Sequence, residues 1–232
     1  MLRGELDDAR RLVADANAAW FTHSLRPLLD LWDGRWDELD ALVATVLATS
    51  RRTGNRWDEW AAHYFAGRVR LLRGELEPAL KSLEDGLAIV VDGGAAYFEL
   101  WVRPELARTI AEGGSLATAR AHLERCTELV GNGEDWRGGA GRVALAEGVL
   151  LAFEERLDEA NVALNRARAS FQRYRLPADE ADVLHQWGRA LGRAGEGAAA
   201  AEKLDEALEL LRRHNLGPPW LERVARDRDR FG

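Results

Sequence analysis

Gly74-Glu75-Leu76-Glu77-Pro78-Ala79 is followed, forty residues on, by Gly114-Ser115-Leu116-Ala117-Thr118-Ala119. Each is a turn running into an apolar residue and, three positions later, an alanine. With some variation the phrase also reads Gly4-Glu5-Leu6-Asp7-Asp8-Ala9 and Gly34-Arg35-Trp36-Asp37-Glu38-Leu39 upstream. Downstream it reads Glu155-Arg156-Leu157-Asp158-Glu159-Ala160 and Gly195-Glu196-Gly197-Ala198-Ala199-Ala200. The sixth residues stand at 9, 39, 79, 119, 160 and 200, at spacings of 30, 40, 40, 41 and 40. A near-constant period of this length marks a repeat architecture.

Each anchor predicts the residues downstream of it. Four positions on lie Val13, Val43, Leu83, Leu123, Leu164 and Leu204, and seven positions on lie Ala16, Val46, Gly86, Cys126, Ala167 and Ala207. Positions i, i+4 and i+7 share one helix face, so every anchor opens an amphipathic helix with small residues where neighbours press close. A second apolar stretch precedes each turn, as in 57–72, 97–110, 142–153 and 181–191. Two helices of about 14–17 residues with two short turns fill such a period. One hairpin cannot bury its own apolar face, so the hairpins must stack.

The expected fold is therefore all-α, a right-handed superhelical solenoid of about five hairpins. A single repeat domain covers 1–232, with hairpins near 16–50, 56–91, 97–131, 136–174 and 178–214 and caps at 1–15 and 218–232. Helices are predicted near 3–14, 17–32, 35–49, 57–72, 76–90, 97–112, 116–130, 138–153, 157–173, 178–193, 198–213 and 218–230. Ile89-Val90-Val91 reads as a helix end because Asp92-Gly93-Gly94 comes at once after it. Pro177 and Pro218 suit helix starts, whereas Pro104 falls inside an expected helix and predicts a kink or a start there.

Composition narrows the function classes. The net charge is −7, which disfavours nucleic acid and acidic membrane surfaces at long range. No apolar run is long enough for a membrane span, and 1–8 lacks a signal-peptide core, so a cytoplasmic protein is expected. Cys126 is the single cysteine, and at the small inward position it reads as core. Neither Lys81 nor Lys203 comes after a phosphate-binding glycine loop. Gly138-Gly139-Ala140-Gly141 reads as a helix start rather than a phosphate cradle, since no strand precedes it. His23, His63, His122, His185 and His214 show no metal-ligand spacing. No catalytic residue, cofactor or metal is expected.

The hairpin pattern resembles the tetratricopeptide repeat. Gly67, Ala107, Gly148 and Gly188 occupy that family's small position in the first helix. Ala79, Ala119, Ala160 and Ala200 match the early small residue of the second helix, and Ala167 and Ala207 the late one. The unit is longer than the family's standard one. Longer units are similar to the C-terminal sensor arrays of bacterial ATPase-linked LuxR-type regulators and class III adenylate cyclases. Arg103-Pro104-Glu105-Leu106-Ala107-Arg108, Ala167-Arg168-Ala169-Ser170-Phe171 and Asn215-Leu216-Gly217-Pro218-Pro219-Trp220-Leu221-Glu222-Arg223 resemble phrases of those arrays. No phosphate loop, cyclase or helix-turn-helix segment accompanies them, and the chain opens on what looks like half a repeat.

The resemblance implies a concave face lined by the first helices, and with it a candidate site. Trp57, Trp60 and Trp101 lie early in those helices and would grip a peptide or an apolar ligand; the alternative is that they fill the wider spacing of a long repeat. Arg68, Arg108 and Arg189 each come directly after the small first-helix residue, with Tyr64 and His185 one turn earlier. A guanidinium ladder suits an acidic or C-terminal-carboxylate partner. The same arginines also suit ion pairs with glutamates on neighbouring helices. The expected function is a non-catalytic scaffold or sensor that binds a protein or peptide segment, part of or derived from a bacterial signalling or transcription regulator. The alternatives are a small-effector sensor and a structural spacer or homo-oligomerisation arm.

Overall fold

A computed structural model describes residues 19–131 and 136–231, with side chains from residue 26 onward. The described residues form eleven α-helices and one 3₁₀ turn, and no strand. In chain order these are α1 (Ala19–Trp32), α2 (Trp36–Thr53), α3 (Arg56–Arg73), α4 (Leu76–Asp92), α5 (Ala96–Glu112) and α6 (Leu116–Val130). After the 3₁₀ turn Trp136–Gly138 come α7 (Gly139–Phe153), α8 (Leu157–Tyr174), α9 (Pro177–Arg193), α10 (Gly197–Arg213) and α11 (Pro218–Phe231). The expected helix 3–14 and cap 1–15 lie outside the described residues.

The repeat phrase builds the joints. Gly74 takes a left-handed φ of 80°, and the next N–H, of Glu75, donates back to the Arg70 carbonyl at 2.9 Å. This closes α3 and lets α4 begin two residues later. The anchor face is the driest part of the molecule. Ala79, Leu83, Ala119, Cys126, Ala160, Leu164, Ala167, Ala200, Leu204 and Ala207 are completely buried. Within a hairpin the first helix offers a glycine to the leucine four residues past the anchor. A Cβ on Gly67, Gly148 or Gly188 would lie 2.6, 2.6 or 2.5 Å from Cγ of Leu83, Leu164 or Leu204. The helices cross that closely because these positions carry no side chain.

α5 does not begin at Pro104. It runs unbroken through that residue, between the fully buried Leu100 and Leu106. Packing on both sides holds the helix across the missing backbone donor, so tertiary contacts outweigh the local penalty of proline.

Consecutive helices pack in order, and α5 also packs along α7 and α1 along α3. The odd-numbered helices thus form an inner set and the even-numbered ones an outer set. The start of α11 meets the end of α1. The Gly217 N–H donates to the Trp32 carbonyl at 2.9 Å, and the Trp220 indole donates to the Leu31 carbonyl at 2.9 Å. The Trp36 indole donates to that same carbonyl at 3.1 Å, and its ring meets Trp220 edge-on at 6.3 Å. A Cβ on Gly217 would lie 2.0 Å from the Asp33 carbonyl oxygen, so the approach requires glycine.

Candidate functional site

The inner helices turn their charged residues toward one another. Arg68 of α3 pairs with Glu105 of α5, and both are buried. Arg108 of α5 crosses to α9, where Asp182 accepts two hydrogen bonds at 2.9 and 3.3 Å. Arg189 of α9 returns to Glu112 of α5 and lies 3.6 Å from Asp227 of α11. Arg142 of α7 meets Asp179 of α9 at 3.0 Å. The three arginines of the ladder are therefore side by side on the inner face, each engaged by a carboxylate of another inner helix.

Electrostatics follow from that enclosure. Burial would raise the Asp182 carboxyl, but Arg108, Arg68 and Arg223 hold it far below the usual aspartate range. Burial opposes the charges of Arg68 and Arg108, yet their carboxylates raise both above the ordinary arginine value. His185 is buried between α11 side chains. Its Nε2 lies 2.7 Å from Asp227, and its Nδ1 lies 3.2 Å from an Arg223 nitrogen. Burial and the adjacent Arg223 push the imidazole down to about 4. It is neutral at pH 7, with Nε2–H donating to Asp227 and Nδ1 accepting from Arg223. Burial also draws Arg223 down to about 10.

The predicted aromatic residues lie in one continuous ladder. Trp57 and Trp60 both meet Phe98, at 4.2 and 4.5 Å between centroids. Trp60 stacks on Tyr64 at 5.9 Å, and Tyr64 meets Trp101 at 5.6 Å. Tyr97 continues the series from Trp101 to Trp136, at 6.3 and 5.6 Å. Trp60 and Tyr64 are buried in the core, Trp57 is exposed, and Trp101 is part-exposed. At Trp101 the ladder opens into a pocket of about 660 Å³ between α1, α5, α7, the end of α8 and α9. Arg142 lies over the Trp101 ring at 4.6 Å and joins this pocket to the charged interior.

Of the residues lining that pocket, sequence reasoning singled out Trp101 alone; it missed Trp136, Arg137, Tyr174 and Arg175 among the rest. The only signal for them was aromatic and arginine density in the connection before α7 and at the joint between α8 and α9. Gly138 and Gly139 do form a helix start. A Cβ on Gly138 would lie 3.1 Å from Leu176, and one on Gly139 would lie 2.9 Å from the Trp136 Cβ. Cys126 is buried, which pushes its thiol up to about 12. Among the described residues no group of His, Cys, Asp or Glu is placed to hold a metal ion, and no helix is long and apolar enough to cross a membrane.

No protein-family model matches the chain, and no curated protein does. Among solved structures it is similar to BtubC (BKLC) from P. vanneervenii, whose crystal structure aligns with a TM-score of 0.56 at 19% identity over 91% of this chain and 88% of that one. The likeness is one of fold, an array of paired helices.

Proposed function

We propose that the chain is a non-catalytic binding module of the tetratricopeptide type, a sensor that takes a compact ligand into the pocket at Trp101. The observation that carries this reading is the inner face itself. Its centre is filled by paired charges, and its open volume is an aromatic-walled chamber of about 660 Å³. Small-molecule sites commonly occupy roughly 300–1,000 Å³ and are walled by aromatic groups with a few placed polar ones. An extended peptide along the whole inner face would have to displace the Arg108–Asp182 and Arg189–Glu112 pairs. The small residues at Gly67, Gly148 and Gly188 support the tetratricopeptide reading, because they sit at the hairpin crossing. The resemblance to bacterial regulator arrays supports a signalling role in the cytoplasm.

The test is a thermal-shift panel of low-mass metabolites beside a panel of peptides. A metabolite that raises the unfolding midpoint of the wild type but not of Trp101→Leu is the expected result. Binding of peptides alone, unaffected by that substitution, would overturn the reading.

A protein-docking or self-association arm is the second reading. It is favoured by an outer groove of about 920 Å³ along α6, α7 and α8, beside Val162, which is 64% exposed. Sedimentation that shows a monomer at all concentrations would count against self-association.

A further inference from the structure

We propose that the pocket at Trp101 takes a planar aromatic anion, a flat ring system carrying a carboxylate or a phosphate. This rests on the reading of the pocket as the ligand site and adds the chemical class of the ligand.

The walls select a flat ligand. Tyr97 and Trp136 lie 5.6 Å apart at an interplanar angle of 31°, and Trp101 meets Tyr97 at 70°. These rings present both a face and an edge, the two arrangements in which a further aromatic ring is held.

The rim selects its charge. Among the described residues four guanidinium groups line the pocket, those of Arg137, Arg142, Arg173 and Arg175, beside the carboxylate of Asp179. In a chain of net charge −7 this gathers cations at one rim. Asp179 is taken by Arg142 at 3.0 Å, and Arg173 lies over the Tyr174 ring at 5.5 Å. Arg137 and Arg175 are exposed, and neither is bridged to a carboxylate of the described residues. Guanidinium groups recognise carboxylate and phosphate alike through paired N–H donors.

The backbone before α7 marks the same rim. Trp136 and Arg137 hold φ of 49° and 48°, Gly138 holds 98°, and Arg175 holds 54°. Left-handed backbone at non-glycine residues costs about 1–3 kcal/mol apiece and gathers at ligand sites, where the surroundings enforce it. Arg137 thus stands on strained backbone, whereas Arg175 takes the left-handed turn that closes α8, as Glu155 and Asn215 do at other joints.

Isothermal titration of the full chain at low salt with naphthyl phosphate, naphthoate and naphthol tests the proposal. At least one of the two anions is expected to bind roughly tenfold or more tightly than the neutral naphthol. The tighter of the two identifies the acidic group. In Arg137→Gln/Arg175→Gln that preference is expected to vanish while naphthol binding stays the same. Both side chains are exposed, so an unchanged unfolding midpoint shows that this variant folds. Equal binding of all three probes by the wild type would overturn the anionic part and leave the ligand pocket standing. A preference that survives the double variant, or inorganic phosphate binding as tightly as naphthyl phosphate, would overturn the assignment as well. If none of the three probes binds, this inference fails; the reading of the pocket itself then stands or falls separately, on the metabolite panel and Trp101→Leu.

Discussion

Asp182 is the residue on which the inner charges turn. It accepts both hydrogen bonds of Arg108 and faces Arg68 and Arg223. Removal of its charge leaves buried cations uncompensated, which typically costs about 3–5 kcal/mol. Asp182→Asn is expected to lose that much in urea unfolding at pH 7. A loss below about 1 kcal/mol would mean that Glu105, 3.6 Å from Arg108, takes over the pairing. His185 gives the molecule a pH dependence of defined sign. Its folded value of about 4 lies below the unfolded 6.5, so the unfolded chain binds the proton first. Stability is therefore complete above pH 6.5 and falls as pH drops toward 4, by about 3 kcal/mol at the low end. Asp182, whose value is also depressed, adds its loss at lower pH still, in the same direction. His185→Gln retains a donor for Asp227 and an acceptor for Arg223. Denaturation curves between pH 4 and 6.5 should be flatter for this variant than for the wild type.

At the scale of the elements, the hairpin crossing is the point of least tolerance. A Cβ on Gly148 would lie 2.6 Å from Cγ of Leu164 and 2.9 Å from its Cδ2. Overpacking costs about 1–3 kcal/mol, against about 1 kcal/mol gained in helix propensity on replacing glycine by alanine. Gly148→Ala should therefore lower stability on balance, whereas Gly148→Ala/Leu164→Ala should relieve the clash and replace it with a cavity at Leu164. Comparison of the two in urea separates contact from propensity. The elements are also where the sequence was most legible. Anchors such as Ala119 and Leu123 repeat with their helix, so α6 was expected at 116–130 and lies at Leu116–Val130. A helix start at Pro104 is not what forms, because the local rule for proline ignores the packing around Leu100 and Leu106. Arg68, Arg108 and Arg189 were legible as an inward series. Their partners were less so, since the Arg108–Asp182 and Arg189–Glu112 pairs join residues 74 and 77 apart and obey no repeat spacing. The walls at Trp136 and Arg175 lie in connections, which the period does not describe.

At the scale of the molecule, the decisive contact joins residues 189 positions apart. Trp220 is 3% exposed, donates to Leu31 and packs on Trp36. Trp220→Ala is expected to cost about 3–5 kcal/mol, the usual range for a buried tryptophan. Hydrogen exchange should show more than the magnitude. Protection should fall together in the α1–α2 turn and at the start of α11. If α1 and α11 did not touch, the loss would stay near Trp220, because each unit then answers only to its neighbours.

The meeting of Gly217 with the Trp32 and Asp33 carbonyls also constrains how such a chain can change over evolutionary time. Open arrays lengthen or shorten by tandem duplication, since a further unit finds an unoccupied flank. Here α1 and α11 hold the interval between them. A copy inserted within it would carry Gly217 and Trp220 past the backbone they touch, so that stretch accommodates substitutions in place but rejects a change in the number of its units.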